Sequence, residues 1–160
     1  MEATAIRPLR PIELDFRGME VNSPEVNGGA ATFERIGREL KVIPECSRNR
    51  GRAFTVLVNS HGEQGPSASQ FVPWDAGWLQ AEDGSVNVMN YPDGAGTWFP
   101  VNDHQWDKAT YDFEIFVPSD LSVLAPGSLV AKSEEGGRTR FAYAMDRPMA
   151  SPSAVFHMDE

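Results

Sequence analysis

Apolar and polar residues alternate with a period of two along most of the chain, the period that sends successive side chains to opposite faces of a strand. Ile12-Glu13-Leu14-Asp15-Phe16 alternates cleanly, Gly18 interrupts it, and Met19-Glu20-Val21 resumes, with Asn22-Ser23-Pro24 read as a stop. Asn27-Gly28-Gly29 is a tight-turn signal because its residues accept φ > 0, and the alternating run Ala31 to Arg35 that follows completes a predicted hairpin. Further strands are expected at Glu39 to Pro44, Phe54 to Val58, Tyr111 to Val117, Thr139 to Ala144 and Ala154 to His157. Glu134-Glu135-Gly136-Gly137 reads as an exposed turn between two late strands, and Ser47 to Arg52 as a solvated, arginine-rich one. His61 to Gln80, with Phe71, Trp74 and Trp78 among glycine, proline and serine, is too irregular for a hairpin connection and reads as a long aromatic loop. Roughly seven or eight strands with many Gly/Pro turns predict an all-β, mostly antiparallel fold, a sandwich or saddle-like sheet carrying that loop. No repeat or low-complexity linker divides residues 1–160, so a single β-domain is expected.

A chain of 160 residues is the size of one domain and buries about 68–70% of the surface its unfolded form exposes, which supports an ordinary core. Hydrophobic residues at 41% and charged residues at 23% exclude wholesale disorder. The net charge of −9 repels phosphate backbones and anionic headgroups, so neither nucleic acid nor a membrane is an expected partner. Cys46, the single cysteine, cannot form an internal disulfide, and no Asn-x-Ser/Thr site occurs; a reducing cytoplasm is the expected compartment. Residues 1–10 lack the apolar region of a leader, and no stretch reaches the roughly 18 apolar residues of a spanning helix.

Candidate chemistry is sparse. The three histidines, His61, His104 and His157, form no His-Glu-x-x-His, and there is no Cys-x-x-Cys, so neither a metal nor a catalytic residue is assigned to this chain. Asp103, His104 and Asp107 offer ligand atoms without a fourth donor; the simpler reading is a capped turn with Lys108 as charge partner. Cys46 beside Arg48 and Arg50 has the setting of a low-pKa thiolate, but a small, partly buried apolar residue is the commoner role. No Gly-x-Ser-x-Gly elbow is present. Trp74, Trp78, Trp98 and Trp106 crowd one third of the chain. They admit a stacking platform for sugars, hence a stand-alone carbohydrate- or protein-binding module as the alternative, against Trp98 and Phe99 filling the core and Trp74 and Trp78 holding the loop down.

The segment Tyr91-Pro92-Asp93-Gly94-Ala95-Gly96-Thr97-Trp98-Phe99-Pro100-Val101-Asn102-Asp103-His104-Gln105-Trp106-Asp107-Lys108 resembles the amino-terminal β-domain of the aminopeptidase N (membrane alanyl aminopeptidase) family of zinc peptidases. The similar features are Pro92 to Ala95, the aromatic-Phe-Pro turn Trp98-Phe99-Pro100, the pair Asn102-Asp103, and Lys108-Ala109-Thr110 leading to Phe113. Gly94 and Gly96 are expected to supply backbone freedom, Pro100 to fix a turn, and Lys108 to answer Asp103. Ile12 to Val21 resembles an early strand pair of the family, and Val117-Pro118 and Pro148 to Ser151 its later strand ends, so the likeness covers nearly the whole chain. Gln105 and Pro152 depart from the family's usual proline and tyrosine, and the family's first strands precede the first one readable here.

The resemblance implies a non-catalytic amino-terminal domain of a larger zinc metalloaminopeptidase, a hydrolase acting in proteolysis. It implies no cofactor in this chain, with zinc in the catalytic domain of the parent. The implied partners are that catalytic domain and, indirectly, a peptide substrate. Where the family's domain lends a Gln-x-Glu pair to the pocket for the substrate's amino group, this chain has Met89 and Tyr91. Neither carries the negative charge that holds an ammonium, so the two are expected to edge the pocket only.

Overall fold

Alternation becomes strand almost throughout. In the computed structural model, which describes all residues 1–160, two short 3₁₀ turns, Ala95–Thr97 and Ser151–Ser153, are the only helical segments. The chain forms two compact units, residues 1–64 with 96–102 and residues 65–95 with 103–160.

The first unit holds β1 (Glu2–Thr4), β2 (Ile12–Asp15), β3 (Glu20–Val26), β4 (Gly29–Ala30), β5 (Thr32–Ile36), β6 (Glu39–Ile43) and β7 (Ala53–His61). They form two antiparallel sheets, ordered β1-β7-β3-β4 and β2-β6-β5. Inward residues of both build one core: Ile12 and Leu14 of β2, Leu40 and Val42 of β6, Phe54 and Val56 of β7, with Phe16, Met19 and Val26. The β3–β4 turn is the predicted one, with Asn27 at φ 54° and Gly28 at φ 75° giving the left-handed pair whose twist matches the flanking strands.

Asn22-Ser23-Pro24, read as a stop, instead lies within β3. A bulge between Val21 and Ser23 absorbs the irregularity, and Pro24 pairs with Val58 of β7. Its carbonyl accepts from Ala31 N–H at 3.0 Å on the side away from β7, so the missing proline donor also points away from the β7 ladder, to where the short β4 has ended.

The second unit holds β8 (Pro66–Ala68), β9 (Asp75–Gln80), β10 (Val86–Met89), β11 (Lys108–Pro118), β12 (Ser122–Leu124), β13 (Ser128–Glu135), β14 (Arg138–Ala150) and β15 (Phe156–Asp159). Its sheets run β12-β15-β10-β9-β8 and β11-β14-β13, again antiparallel. The predicted turn between late strands is the β13–β14 hairpin, with Gly136 and Gly137 both at positive φ.

Half of the expected long aromatic loop is strand: β7 runs to His61, and β8 and β9 follow, leaving 62–65 and 69–74 as connections. The alternation is hidden because Ala76 and Gly77 of β9 are both buried and neither is large. Cys46 is exposed, not partly buried, and Trp98 and Phe99 are half-buried rather than core residues.

The two shortest ion pairs each join neighbouring strands: Lys41 donates to Glu13, its cross-strand partner, at 2.8 Å, and Arg140 to Glu114 at 2.5 Å. Hydrogen bonding to Lys41 and to Arg140 holds the Glu13 and Glu114 carboxyls below the ordinary value of 4.5. Groups so depressed contribute stability above that value and lose it as pH falls through the folded-state pKa. At these solvent-exposed positions the contribution is small.

Candidate functional site

The strand β10 lies between β9 and β15, with Val86 and Val88 buried and Met89 turned out to solvent. The next residue, Asn90, is fully buried, and its side-chain amide donates to the Ala154 carbonyl at 2.5 Å. The Asn90 carbonyl in turn accepts from Gly94 N–H at 2.6 Å, closing the turn that carries Tyr91, Pro92 and Asp93. Asp93 Oδ2 accepts from Gln70 N–H at 3.2 Å and so ties the 69–74 connection to this turn.

Beside it lies an open groove of about 590 Å³, lined by apolar side chains that include Met89, Tyr91, Leu124, Pro126, Val155 and Phe156. Its polar lining is Asn87, Asn90 and His157, and no carboxylate is among the lining residues. His157 Nδ1 and Asn87 Oδ1 meet at 2.9 Å and satisfy one another. The groove is therefore suited to apolar contact and holds no anion for an ammonium group. Met89 and Tyr91 both stand on its rim, 55% and 62% exposed.

Removing the Asn90 amide strands the Ala154 carbonyl in a buried setting, which costs about 1–3 kcal/mol. Asn90→Ala is accordingly expected to lower the urea midpoint, and Asn87→Ala, at a half-buried position, to lower it less.

The glycines of the motif have a different reason from the one expected. Neither Gly94 nor Gly96 is at positive φ. A Cβ on Gly94 would lie 2.6 Å from Gly77 N and 2.9 Å from Ala76 Cβ, and one on Gly96 would lie 3.1 Å from the Asp15 carbonyl. Space, not dihedral freedom, demands glycine at both positions.

In the first unit, Trp98 and Phe99 meet edge to face with ring centroids 4.3 Å apart. After half-buried Pro100, Val101 bridges Asp15, with Asn102 exposed beyond it. In the second unit, Asp103 accepts from the buried Ser151 hydroxyl at 2.6 Å and so anchors the 3₁₀ turn after β14, a role the expected Lys108 pairing did not anticipate. Lys108 opens β11 opposite Ala150, and Ala95 is fully buried.

The four tryptophans are used differently from one another. Trp78 packs edge-on against Phe156, Trp106 is 89% exposed with only its backbone N–H donating to His104 Nδ1, at 3.2 Å, and Trp74 is 55% exposed. Nothing in the chain fits a zinc ion: no group of three or more His, Cys, Asp or Glu is placed to hold one. His61 stands 3.6 Å from Glu20, and His157 3.6 Å from Asp159. Asn90, Leu124 and Val155 were not singled out by sequence, because a lone Asn and two isolated apolar residues carry no pattern of their own.

No family model matches the sequence, and no curated protein matches it. Solved structures do. A two-domain M1 zinc metallopeptidase bound to L-arginine has a TM-score of 0.89 at 24% identity, over 98% of this chain and 36% of that one. The M1 zinc metallopeptidase from Deinococcus radiodurans gives 0.89 and 24% over 98% of this chain and 35% of its own. Legionella pneumophila aminopeptidase A in complex with aspartic acid gives 0.76 and 19%, over 94% and 17%. The chain thus spans about a third of the length of the M1 zinc metallopeptidases it matches best among these, and its fold is the all-β fold that they carry over that third.

Proposed function

We propose that this chain is the non-catalytic amino-terminal domain of a zinc-dependent aminopeptidase, packing on a catalytic domain and narrowing the access of peptide substrates. The observation that carries the proposal is the coverage: 98% of the chain is used in a match that leaves 64% of the two-domain M1 zinc metallopeptidase (100% − 36%) unmatched. The Pro92 to Lys108 motif of the sequence supports the same reading. In the parent, zinc held outside these residues would activate water for hydrolysis of the amino-terminal peptide bond. The residues here bind no metal; they shape the approach, with Met89 and Tyr91 edging the pocket and Gly94, Ala95, Trp98, Phe99, Pro100, Asn102, Asp103 and Lys108 holding the local structure.

A stand-alone sugar-binding module would have to stack its ligand on Trp74 and Trp106, since Trp78 and Trp98 pack edge-on against Phe156 and Phe99. The test is the polypeptide made in the source cells. A product longer than this chain, with His-Glu-x-x-His and aminopeptidase activity, is expected. The 160-residue chain alone is expected to release no amine from aminoacyl reporters and to retain no stoichiometric zinc. A mature product of 17.6 kDa would overturn the proposal, as would hydrolysis by the chain alone.

A further inference from the structure

Five of the 14 basic residues lie in two short segments that contain no acid: Arg7 and Arg10 in residues 5–10, and Arg48, Arg50 and Arg52 in residues 46–52. The remainder of the chain holds nine basic and 23 acidic residues, a net charge of −14 (9 − 23). The fold lays the two segments side by side at the β1 edge of the first unit. Ala5 N–H donates to the Arg52 carbonyl at 3.0 Å, Gly51 N–H to the Ala5 carbonyl at 2.7 Å, and Leu9 and Arg48 exchange both backbone bonds at 2.9 Å. Thr4 pairs with Ala53 and Leu9 with Arg48, with no residue gained or lost on either side, which sets Arg7 across from Arg50.

Like charges opposed across a strand pair cost stability. The chain does little to offset that cost here, since none of the five arginines is in an ion pair. Four of them are exposed and Arg48 is half-buried. Arg48 Nη2 donates to the Cys46 carbonyl at 2.9 Å, while its buried Nε has no partner. Arg7 acts on Glu13, but that carboxyl is lowered chiefly by its bond to Lys41 and only in smaller part by Arg7. Glu2 and Glu45, which flank the segments, make no ion pair.

We propose that this surface binds an extended acidic peptide segment, whose carboxylates take the guanidinium groups through paired N–H···O bonds. The size of the surface chooses this occupant over other polyanions. Six extended residues span about 20 Å, so a nucleic acid or an anionic bilayer that reached the arginines would also lie against surface of net charge −14. A short peptide ends where the arginines end. The surface shares no residue with the groove beside β10 and needs no catalytic domain, so it is independent of the peptidase reading.

The test is a fluorescence anisotropy titration of labelled hexaglutamate with the intact polypeptide as the source cells make it. Binding is expected at low ionic strength and should weaken as salt is raised. Arg7→Glu combined with Arg50→Glu is expected to weaken it about tenfold or more, since two attractive contacts become repulsive. Arg147→Glu, at an exposed position on β14 of the second unit, shifts the net charge in the same sense and should leave binding unaltered. Arg50→Gln separates binding from folding: it should weaken the complex yet leave the urea midpoint unchanged or raised, because it removes the opposition to Arg7. A lowered midpoint with unchanged binding would assign the arginines to the fold and overturn the inference. So would failure of hexaglutamate to bind, or equal losses from Arg147→Glu and the double reversal. Tighter binding of a thymidylate hexamer or of phosphatidylserine vesicles would reassign the surface to phosphates and overturn it as well. Self-association that the double reversal abolishes would assign the surface to a second copy, with the same consequence. Aminopeptidase activity of the same preparation reports separately on the functional reading.

Discussion

Replacing Phe16 with alanine is expected to lower the stability of the fold by about 3–5 kcal/mol, the cost of deleting a large, fully buried ring and leaving a cavity. Phe16 has 0% of its surface exposed and belongs to the core that β2, β6 and β7 share. The Arg35 guanidinium lies 5.0 Å from the centroid of its ring and donates to the Met19 carbonyl at 2.5 Å, so truncation also removes the surface that cation rests on. For a chain of this size the loss corresponds to a fall in melting temperature of roughly 10 °C. Phe33→Ala in β5, at 37% exposure, is the comparison and should cost much less. A Phe16→Ala loss below about 1 kcal/mol, the typical cost of an arbitrary substitution, would contradict the core described here.

Gly127→Ala is expected to cost about 2–5 kcal/mol, the sum of left-handed backbone strain and overpacking. Gly127 has φ +93°, and a Cβ there would press on the Ala144 carbonyl oxygen, lying 2.6 Å from its carbon and 2.8 Å from Met145 N. The next residue, Ser128, opens β13 opposite Ala144, so relief of the clash must move the start of that strand off β14. Amide exchange should therefore quicken across 128–135 as the urea midpoint falls. Gly136→Ala isolates the dihedral part: φ is +59° and nothing lies within 4 Å. Equal effects of the two substitutions would mean that the close approach at Gly127 is not real.

The strands most legible in the sequence are those with one wet face and one dry face. Ile12 to Asp15 and Glu39 to Ile43 alternate because only one side is buried, and the β3–β4 turn announces itself through Asn27-Gly28. Strands escaped notice where that contrast fails. All eight residues of β13 are exposed, so burial imposes no period, and β9 buries adjacent small residues. The proline in β3 misled because its effect depends on which side its missing donor faces, a fact of pairing and not of local sequence. At the candidate site, Met89 and Tyr91 were found through resemblance, while Leu124 and Val155 come from distant segments that only the register of β15 with β10 and β12 brings together.

The make-up of the first unit from residues 1–64 and 96–102 has a consequence for how it is made. Asp15 N–H donates to the Val101 carbonyl at 2.7 Å, Val101 N–H returns a bond at 3.1 Å, and Arg17 N–H donates to the Gly96 carbonyl at 2.7 Å. On the ribosome, the first 64 residues emerge well before those carbonyls exist. Until residue 102 has been synthesised, the Asp15 to Arg17 edge presents unanswered amides to the cytosol or to a chaperone, a template for pairing with the wrong strand. Codons between 65 and 95 thus set how long the nascent chain carries that open edge, and slow translation there is expected to favour aggregation of a polypeptide whose finished fold is sound.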